Sequence, residues 1–476
     1  MTPKSIARIR AAAAAVALTL AFATSAFAQV AGLFYAEEKK DNRIYVFNVK
    51  ANWERFVAAG ETGTGLTRIG VGPNGETVFA DNETALELFF FKYNIKEEVK
   101  RPPVPVQSIV WRDGKTRITM GNAAYLEMSN RIQPRFTYEM PDSAARLPGT
   151  GDPGDSRGSF TIRRAKFKLE GWFYKPELEF ELQLNWPDAS VAQPNRFVED
   201  ANIDWDISKK KAFRLRFGQF KAAYGRQQIT SSGAQQFVDR AQTDGRYNPA
   251  RETGIALWGT LGGNKLDWRL MASNGNARSQ ATNDNDKYLW TARVMWQPNG
   301  ATRMNQWASG LLLTEGDIGD STDKPLYAFA ANFASNDLSN VSATLPSNLK
   351  NTQYGGDYIF KYKGFSSVGE YTYRKSKPQI TNPEFKDKGY VLQASYAFKT
   401  KALGATSYLE LAARYSEIDP SNLAGADKRK EAGGALSYYY NKHNLKVQVD
   451  YRNLKVEGSA RTASSDEFRL QTQFIF

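Results

Sequence analysis

The stretch Ser464-Ser465-Asp466-Glu467-Phe468-Arg469-Leu470-Gln471-Thr472-Gln473-Phe474-Ile475-Phe476 decides the fold. Phe468, Leu470, Thr472, Phe474 and Phe476 fall on one face of an extended chain, and Arg469, Gln471 and Gln473 fall on the other. That spacing has a period of two, the period of a β-strand. A chain end is ordinarily polar and frayed. An amphipathic strand ending on an aromatic reads instead as the closing strand of a transmembrane barrel, apolar toward lipid and polar toward a wet lumen.

The other end agrees. Lys4, Arg8 and Arg10 precede the apolar run Ala11 to Ala23, and Ala26-Phe27-Ala28 follows. That is the pattern of a secretory signal peptide over residues 1–28, cleaved before Gln29. No later segment approaches the ~20 consecutive apolar residues of a membrane helix. Barrel strands escape such a search because their apolar residues alternate with polar ones.

Cysteine is absent, which excludes a disulfide framework and thiolate metal sites. The single histidine, His443, cannot build a multi-histidine metal site; it is expected in a solvated turn, Tyr440 to Asn444. No catalytic residue, metal site or cofactor is expected, and the chain reads as a non-enzyme, since a barrel hydrolase needs a nucleophile and a base as neighbours. Formal charge is +13, and removing Lys4, Arg8 and Arg10 leaves +10. A basic balance points to anionic partners. For a secreted chain these are small anions, outer-membrane lipid and lipopolysaccharide, and no nucleic acid. The 23 Tyr, 28 Phe and 10 Trp suit strands and interfacial girdles.

Three parts are expected: the signal peptide 1–28, a small N-terminal periplasmic unit with a Pro-rich linker over 29–107, and a barrel over 108–476. In the second part, Ile44 to Val49 reads as a strand and Trp53 to Ala59 as a short helix. Leu66 to Val71 and Glu76 to Ala80 read as a hairpin about Gly72-Pro73-Asn74-Gly75. Thr84 to Tyr93 fits a strand or a short helix. Gly70-x-Gly72-x-x-Gly75 matches a dinucleotide fingerprint by chance, as no crossover helix follows and Pro73 has no amide hydrogen. Arg101-Pro102-Pro103-Val104-Pro105 is a stiff linker.

From about residue 116 alternating segments of 10–15 residues recur, and their connectors alternate long and short. The fold class is therefore all-β: a transmembrane antiparallel up-and-down barrel of about 16 strands. One connector breaks the rhythm. Residues 299–324 should be a short turn, yet contain Leu311-Leu312-Leu313; two extra strands there would make 18.

Charge marks the inner face, because a cation facing lipid at mid-membrane costs roughly 2–4 kcal/mol. Arg164, Lys166 and Lys168 alternate with Ala165, Phe167 and Leu169. Arg214 and Arg216 oppose Phe213, Leu215 and Phe217; Arg293 opposes Trp290, Ala292 and Val294; Lys361 and Lys363 oppose Tyr358, Phe360 and Tyr362. These cations are the expected pore lining, with Glu170, Glu410 and Asp450 as partial balance.

A series of short motifs adds a resemblance. Gly218-Gln219-Phe220-Lys221, Tyr224-Gly225, Thr230-Ser231-Ser232 and Phe237-Val238-Asp239-Arg240 are followed by Asn248 to Ile255. With Ile162 to Lys166 and Arg469 to Phe474, the series resembles the phosphate-selective porin O and P family over roughly 115–476. The resemblance implies a passive outer-membrane channel, a homotrimer, and a third outer loop, here 224–251, folded into the lumen. It implies anion-binding roles for Arg163, Arg164 and Arg240, although strict alternation aims Arg163 at lipid. Where phosphate-binding members carry a lysine before Thr-Ser-Ser, this chain has Gln228, which can hydrogen-bond an anion but adds no charge. A terminal Phe on such a strand also implies recognition by barrel assembly machinery. A general porin without a dedicated anion site, and a structural or adhesin barrel, remain open beside the anion channel. A plugged transporter of ~22 strands does not fit 448 residues.

Overall fold

A computed structural model describes residues 34–96, 108–141, 156–188, 194–278, 280, 282–299, 311–321, 323–339, 349–378, 384–402, 405–420, 428–458 and 462–476. The expected signal peptide and the linker Arg101 to Pro105 lie outside the described residues. Contacts divide the chain into Met1–Val104 and Pro105–Phe476.

The first unit is a four-stranded sheet with two helices. Its elements are β1 (Ala36–Lys40), β2 (Arg43–Phe47), α1 (Lys50–Ala59), β3 (Leu66–Arg68), β4 (Thr77–Ala80) and α2 (Glu83–Lys92), with sheet order β1-β2-β4-β3. β1 was missed from sequence; it joins β2 through Asp41-Asn42, both at positive φ, the requirement of a tight two-residue hairpin. Thr84 to Tyr93 resolves as helix: Asn82 Oδ1 accepts from Ala85 N at 2.9 Å, capping its first turn. Leu86 and Phe89 then pack on Val46 and Val78. α1 stops at Gly60, whose φ of 74° no other residue adopts as readily.

The second unit begins with a hairpin, β5 (Ser108–Arg112) and β6 (Lys115–Met120), turned by Asp113-Gly114 at φ 55° and 72°. Sixteen longer strands follow. The first eight are β7 (Ala124–Pro141), β8 (Arg157–Phe173), β9 (Leu178–Asn185), β10 (Val198–Asp206), β11 (Arg214–Lys221), β12 (Arg251–Leu261), β13 (Leu266–Ser273) and β14 (Leu289–Trp296). The other eight are β15 (Leu326–Leu338), β16 (Leu349–Tyr362), β17 (Phe365–Pro378), β18 (Phe385–Ala402), β19 (Ala405–Asp419), β20 (Lys428–Asn441), β21 (Leu445–Glu457) and β22 (Thr462–Ile475).

Each pairs antiparallel with the next, and β22 returns to β7 to close the barrel, Phe468 opposite Tyr138 and Phe474 opposite Ile132. Closure leaves no unpaired edge, the condition for a sheet in lipid. β7 is shared along its length: Ala124 to Met128 pair with β6, and Arg131 to Pro141 pair with β22. The short hairpin thus continues the wall beside β7 without adding a seventeenth spanning strand.

The barrel is inverted relative to a water-soluble core. Arg214, Arg226, Arg269, Arg293 and Arg469 are among the largest fully buried side chains, while Phe160, Phe217, Trp290 and Phe329 are exposed on the outer wall. β22 shows both faces: Arg469, Gln471 and Gln473 are buried, and Phe468, Leu470 and Phe474 are exposed. The backbones of Phe476 and Asn130 exchange two hydrogen bonds, so the end is pinned.

One alternative is closed and one expectation is corrected. Residues 311–313 form one 3-10 turn rather than strands; Leu312 and Leu313 are buried inside the barrel against Ile229, Met295, Leu326 and Ile359. An apolar triplet can avoid water without facing lipid when a loop covers it. His443 is also not a solvated turn residue. Its Nε2 lies 3.1 Å from the Glu315 carbonyl and its ring meets Tyr439 edge-on. Burial, then the Lys446 and Lys361 ammoniums, hold its imidazole pKa well below the usual value.

Candidate functional site

The site is built by the loop between β11 and β12, residues 222–250. It carries α3 (Arg226–Ile229) and α4 (Gln242–Tyr247), and most of its residues are buried inside the barrel. A polar loop can be buried only if its backbone and side chains find partners. Here the far wall supplies them. Arg226 Nε donates to Asp357 at 2.9 Å and Gln227 N to Glu370 at 2.9 Å. Gln242 N donates to Glu431 at 2.8 Å, and Val238 N to Asp450 at 3.1 Å. Lys446, Gln448 and Gln473 donate to the carbonyls of Gln235, Gln236 and Gly233. The loop is thus moored to β16, β17, β20, β21 and β22, and its other side faces β7 to β12.

A cavity of about 370 Å³ lies on that open side. Its wall holds eleven cations, Arg131, Arg163, Arg164, Lys166, Lys168, Arg196, Arg216, Lys221, Arg240, Arg251 and Arg278, against four carboxylates, Glu181, Glu199, Asp200 and Asp244. Several cations are paired: Lys166 with Glu199, Arg251 with Asp200 at 2.9 Å, Lys168 with Glu181 at 3.1 Å. The excess of seven remains. Arg131 donates to Ser231 and Ser232 at 3.2 Å each, and its buried Nε has no partner among the described residues.

Asp239 anchors the loop tip. Arg135 lies 2.7 Å from its carboxylate, Arg164 and Arg469 at 3.5 Å, and Arg163 at 3.8 Å. Burial alone would raise its pKa; the guanidiniums of Arg135 and Arg164 outweigh that and hold the carboxyl well below the usual range. Arg469 is also held by Asp450 at 2.7 Å, so the excess positive charge lies with Arg135, Arg163 and Arg164.

The structure sorts the ten sequence-derived residues. Arg163, Arg164, Lys166, Lys168, Arg216 and Arg240 meet at the cavity. The alternation that sends Arg163 to lipid fails at a β-bulge: Gln133 pairs with Arg164 but Pro134 pairs with Ile162, so Arg163 is the extra residue. Pro134 has no N–H for the ladder, and a bulge re-aims the side chain it inserts. The other four lie away from the cavity. Arg214 is fully buried between Asp204 and Glu179, beneath Trp258. Arg293 is fully buried on Asp357, and its Nη1 donates to the Tyr224 carbonyl. Lys361 is fully buried on Asp320 under the 311–321 segment. Lys363 sits in the turn after β16 at φ 48°, exposed beside the Tyr362 ring.

Sequence reasoning missed Arg196 and Arg278 as lining residues, and with them Arg131, Lys221 and Arg251. Arg131 shares the inward alternation of Gln133 and Arg135, and Lys221 and Arg251 lie inside quoted motifs, so a signal was present for these three. Gln228 lines the cavity, and its carbonyl accepts from Arg240 at 3.4 Å.

A closed barrel with apolar residues outside, charged residues inside and an inward-folded loop defines an outer-membrane porin. The family model for phosphate-selective porin O and P matches residues 142–476, and the chain belongs to that family. Its fold is similar to that of the outer membrane channel DcaP of Acinetobacter baumannii: 13% identity, 74% of this chain and 98% of that chain, TM-score 0.50. An anion-selective porin from Comamonas acidovorans is 12% identical over 74% of this chain and 100% of its own, TM-score 0.47. A trimer form of the Vibrio cholerae outer membrane protein OmpT is 9% identical over 74% and 100%, TM-score 0.49. Comparison with curated proteins finds no match. The protein resides in the outer membrane.

Proposed function

We propose that the channel passes small hydrophilic solutes by diffusion and prefers anions, phosphate or similar oxyanions among them. One observation carries this reading: eleven cations face four carboxylates around the cavity beside the third loop. In a confined space of reduced dielectric, fixed cations attract an anion more strongly than in bulk water. Guanidinium groups also offer planar, paired donors that replace part of an oxyanion's hydration. Gln228, in place of the lysine that phosphate-binding members carry, favours a general preference for anions over a dedicated phosphate site. We further infer a homotrimer, insertion guided through β22, and a periplasmic position for residues 34–96.

The test is reversal potential in a salt gradient across a planar bilayer. Wild-type protein is expected to favour anions, and more weakly as salt rises, because the screening length is about 10 Å at 0.1 M. Arg164→Gln with Arg240→Gln is expected to shift the reversal potential toward cations. A wild-type value in the double variant at low salt would reduce the lumen charge to ordinary solvation of a barrel interior.

A further inference from the structure

Away from the basic cavity the lumen is filled where two segments meet, and a cavity of about 360 Å³ remains between the outer loop and β14 to β17. The outer loop enters from one side, and the 311–321 segment of the connector between β14 and β15 meets it from the other. Glu315 is the junction: its N donates to Ala234 O at 2.8 Å. Its carboxylate accepts from Gln227 Nε2 at 3.2 Å, Gln236 N at 3.0 Å and Gln393 Nε2 at 2.9 Å. Arg226 Nη1 donates to Leu312 O. Lys361 donates to Asp320 at 2.7 Å and Gly364 N to Asp317 at 2.8 Å, which ties the segment to β16 and the turn after it. Leu312, Leu313, Glu315, Asp317 and Ile318 are 1–2% exposed. Glu315 and Asp317 thus spend their carboxylates on the protein itself rather than on a hydrated solute.

The β8 to β11 side differs. Below the basic cavity lies a second, of about 280 Å³, lined by Glu127, Glu170, Glu179 and Asp204 among others. The two cavities share Glu181 and Arg216. Glu181 lies 3.1 Å from Lys168 Nζ and 3.7 Å from Arg216 Nη1. Both cations also have a second carboxylate, Glu170 at 2.7 Å and Asp204 at 2.7 Å, which Lys115 and Arg214 share.

We propose that conduction follows an eccentric duct down the β8 to β11 wall, and that Glu181, where the two cavities join, is its specificity-determining carboxylate. This rests on the channel reading above and adds the route and the residue. A fixed negative charge at the join opposes anions that the upper cavity gathers, and sets how strongly anions win. The 311–321 segment acts as a partition that closes the alternative route.

The chain has no cysteine, so single cysteines report accessibility without background. Glu181→Cys and Ser395→Cys place one thiol at the join and one in the filled region, where Ser395 Oγ donates to Glu410 at 2.7 Å. In bilayers, a charged methanethiosulfonate reagent is expected to reduce current through the first and leave the second unchanged. Block at Ser395→Cys, or none at Glu181→Cys, overturns the route. Glu181→Gln is expected to raise the anion-to-cation permeability ratio at 0.1 M salt at least about twofold, and progressively less at higher salt. An unchanged ratio overturns the role of Glu181. A wild-type channel that favours cations would instead defeat the anion preference, and the thiol pattern would still decide the route.

Discussion

The two sides of this lumen use the same residue types to opposite ends. Around the cavity beside β7 to β12, cations outnumber carboxylates eleven to four and border open space. On the β14 to β22 side, several buried cations are matched: Arg226 of the loop and Arg293 share Asp357, Lys361 meets Asp320, Arg414 meets Glu431, and Arg469 holds both oxygens of Asp450 at 2.7 Å. A charge that loses water must be paired and hydrogen-bonded. A charge that keeps water can stay in excess and act at a distance. Inward-facing Lys or Arg is therefore not a functional category until the space in front of it is known.

The largest expected effect breaks the filled side. Asp357→Ala leaves the fully buried Arg226 and Arg293 facing each other without their shared carboxylate. Removing one partner of a buried ion pair costs about 3–5 kcal/mol. The variant should lose its heat-resistant gel mobility at lower temperature and show higher, noisier conductance as the loop loosens. Wild-type melting and conductance would erase the distinction between the two sides.

A smaller effect sharpens it. Lys361→Met removes a cation from the filled side, and Asp320 keeps Lys442 at 3.6 Å. Stability should fall by about 1–3 kcal/mol, in line with an under-satisfied buried group. Reversal potential should stay at the wild-type value, since the lost charge borders no conducting space. A shift as large as that of the Arg164 and Arg240 double variant would mean that the partition conducts.

The smallest effect tests a buried carboxylate outside the barrel. Glu76 pairs with Lys39 and accepts from Asn74 N at 2.9 Å. The Lys39 hydrogen bond first, then those from Asn74, lower its pKa from 4.5 to about 2. A depressed folded pKa contributes stability above the unfolded value and loses it as pH falls through the folded one. Hydrogen-exchange protection of β2 and β4 should therefore weaken between pH 4.5 and 2, the window bounded by those two values. Glu76→Gln should flatten that slope while the barrel strands stay protected; a slope that survives the substitution would assign the acid response to another group.

How much of this was legible differs by residue. All sixteen spanning strands showed in the alternation, because lipid on one face and water on the other impose period two locally. The β5–β6 hairpin was missed although Asp113-Gly114 announces it, since its strands are short. Arg163 was misdirected by alternation, because a bulge depends on the partner strand, where Pro134 sits. Leu311 to Leu313 read as possible strand because nothing local says that an apolar triplet will meet Ile229 and Met295 instead of lipid.

By itself the sequence determined the barrel, its strand count and the alternation that separates inward from outward faces. Those follow from a solvent boundary that every strand meets alone. Only the tertiary structure decided which inward cations border the cavity and which are sealed into ion pairs. That choice depends on contacts between distant residues: Arg226 with Asp357, 131 positions apart, and Lys446 with Gln235, 211 apart. Period two says which way a side chain points; it does not say whether water or a folded loop waits there.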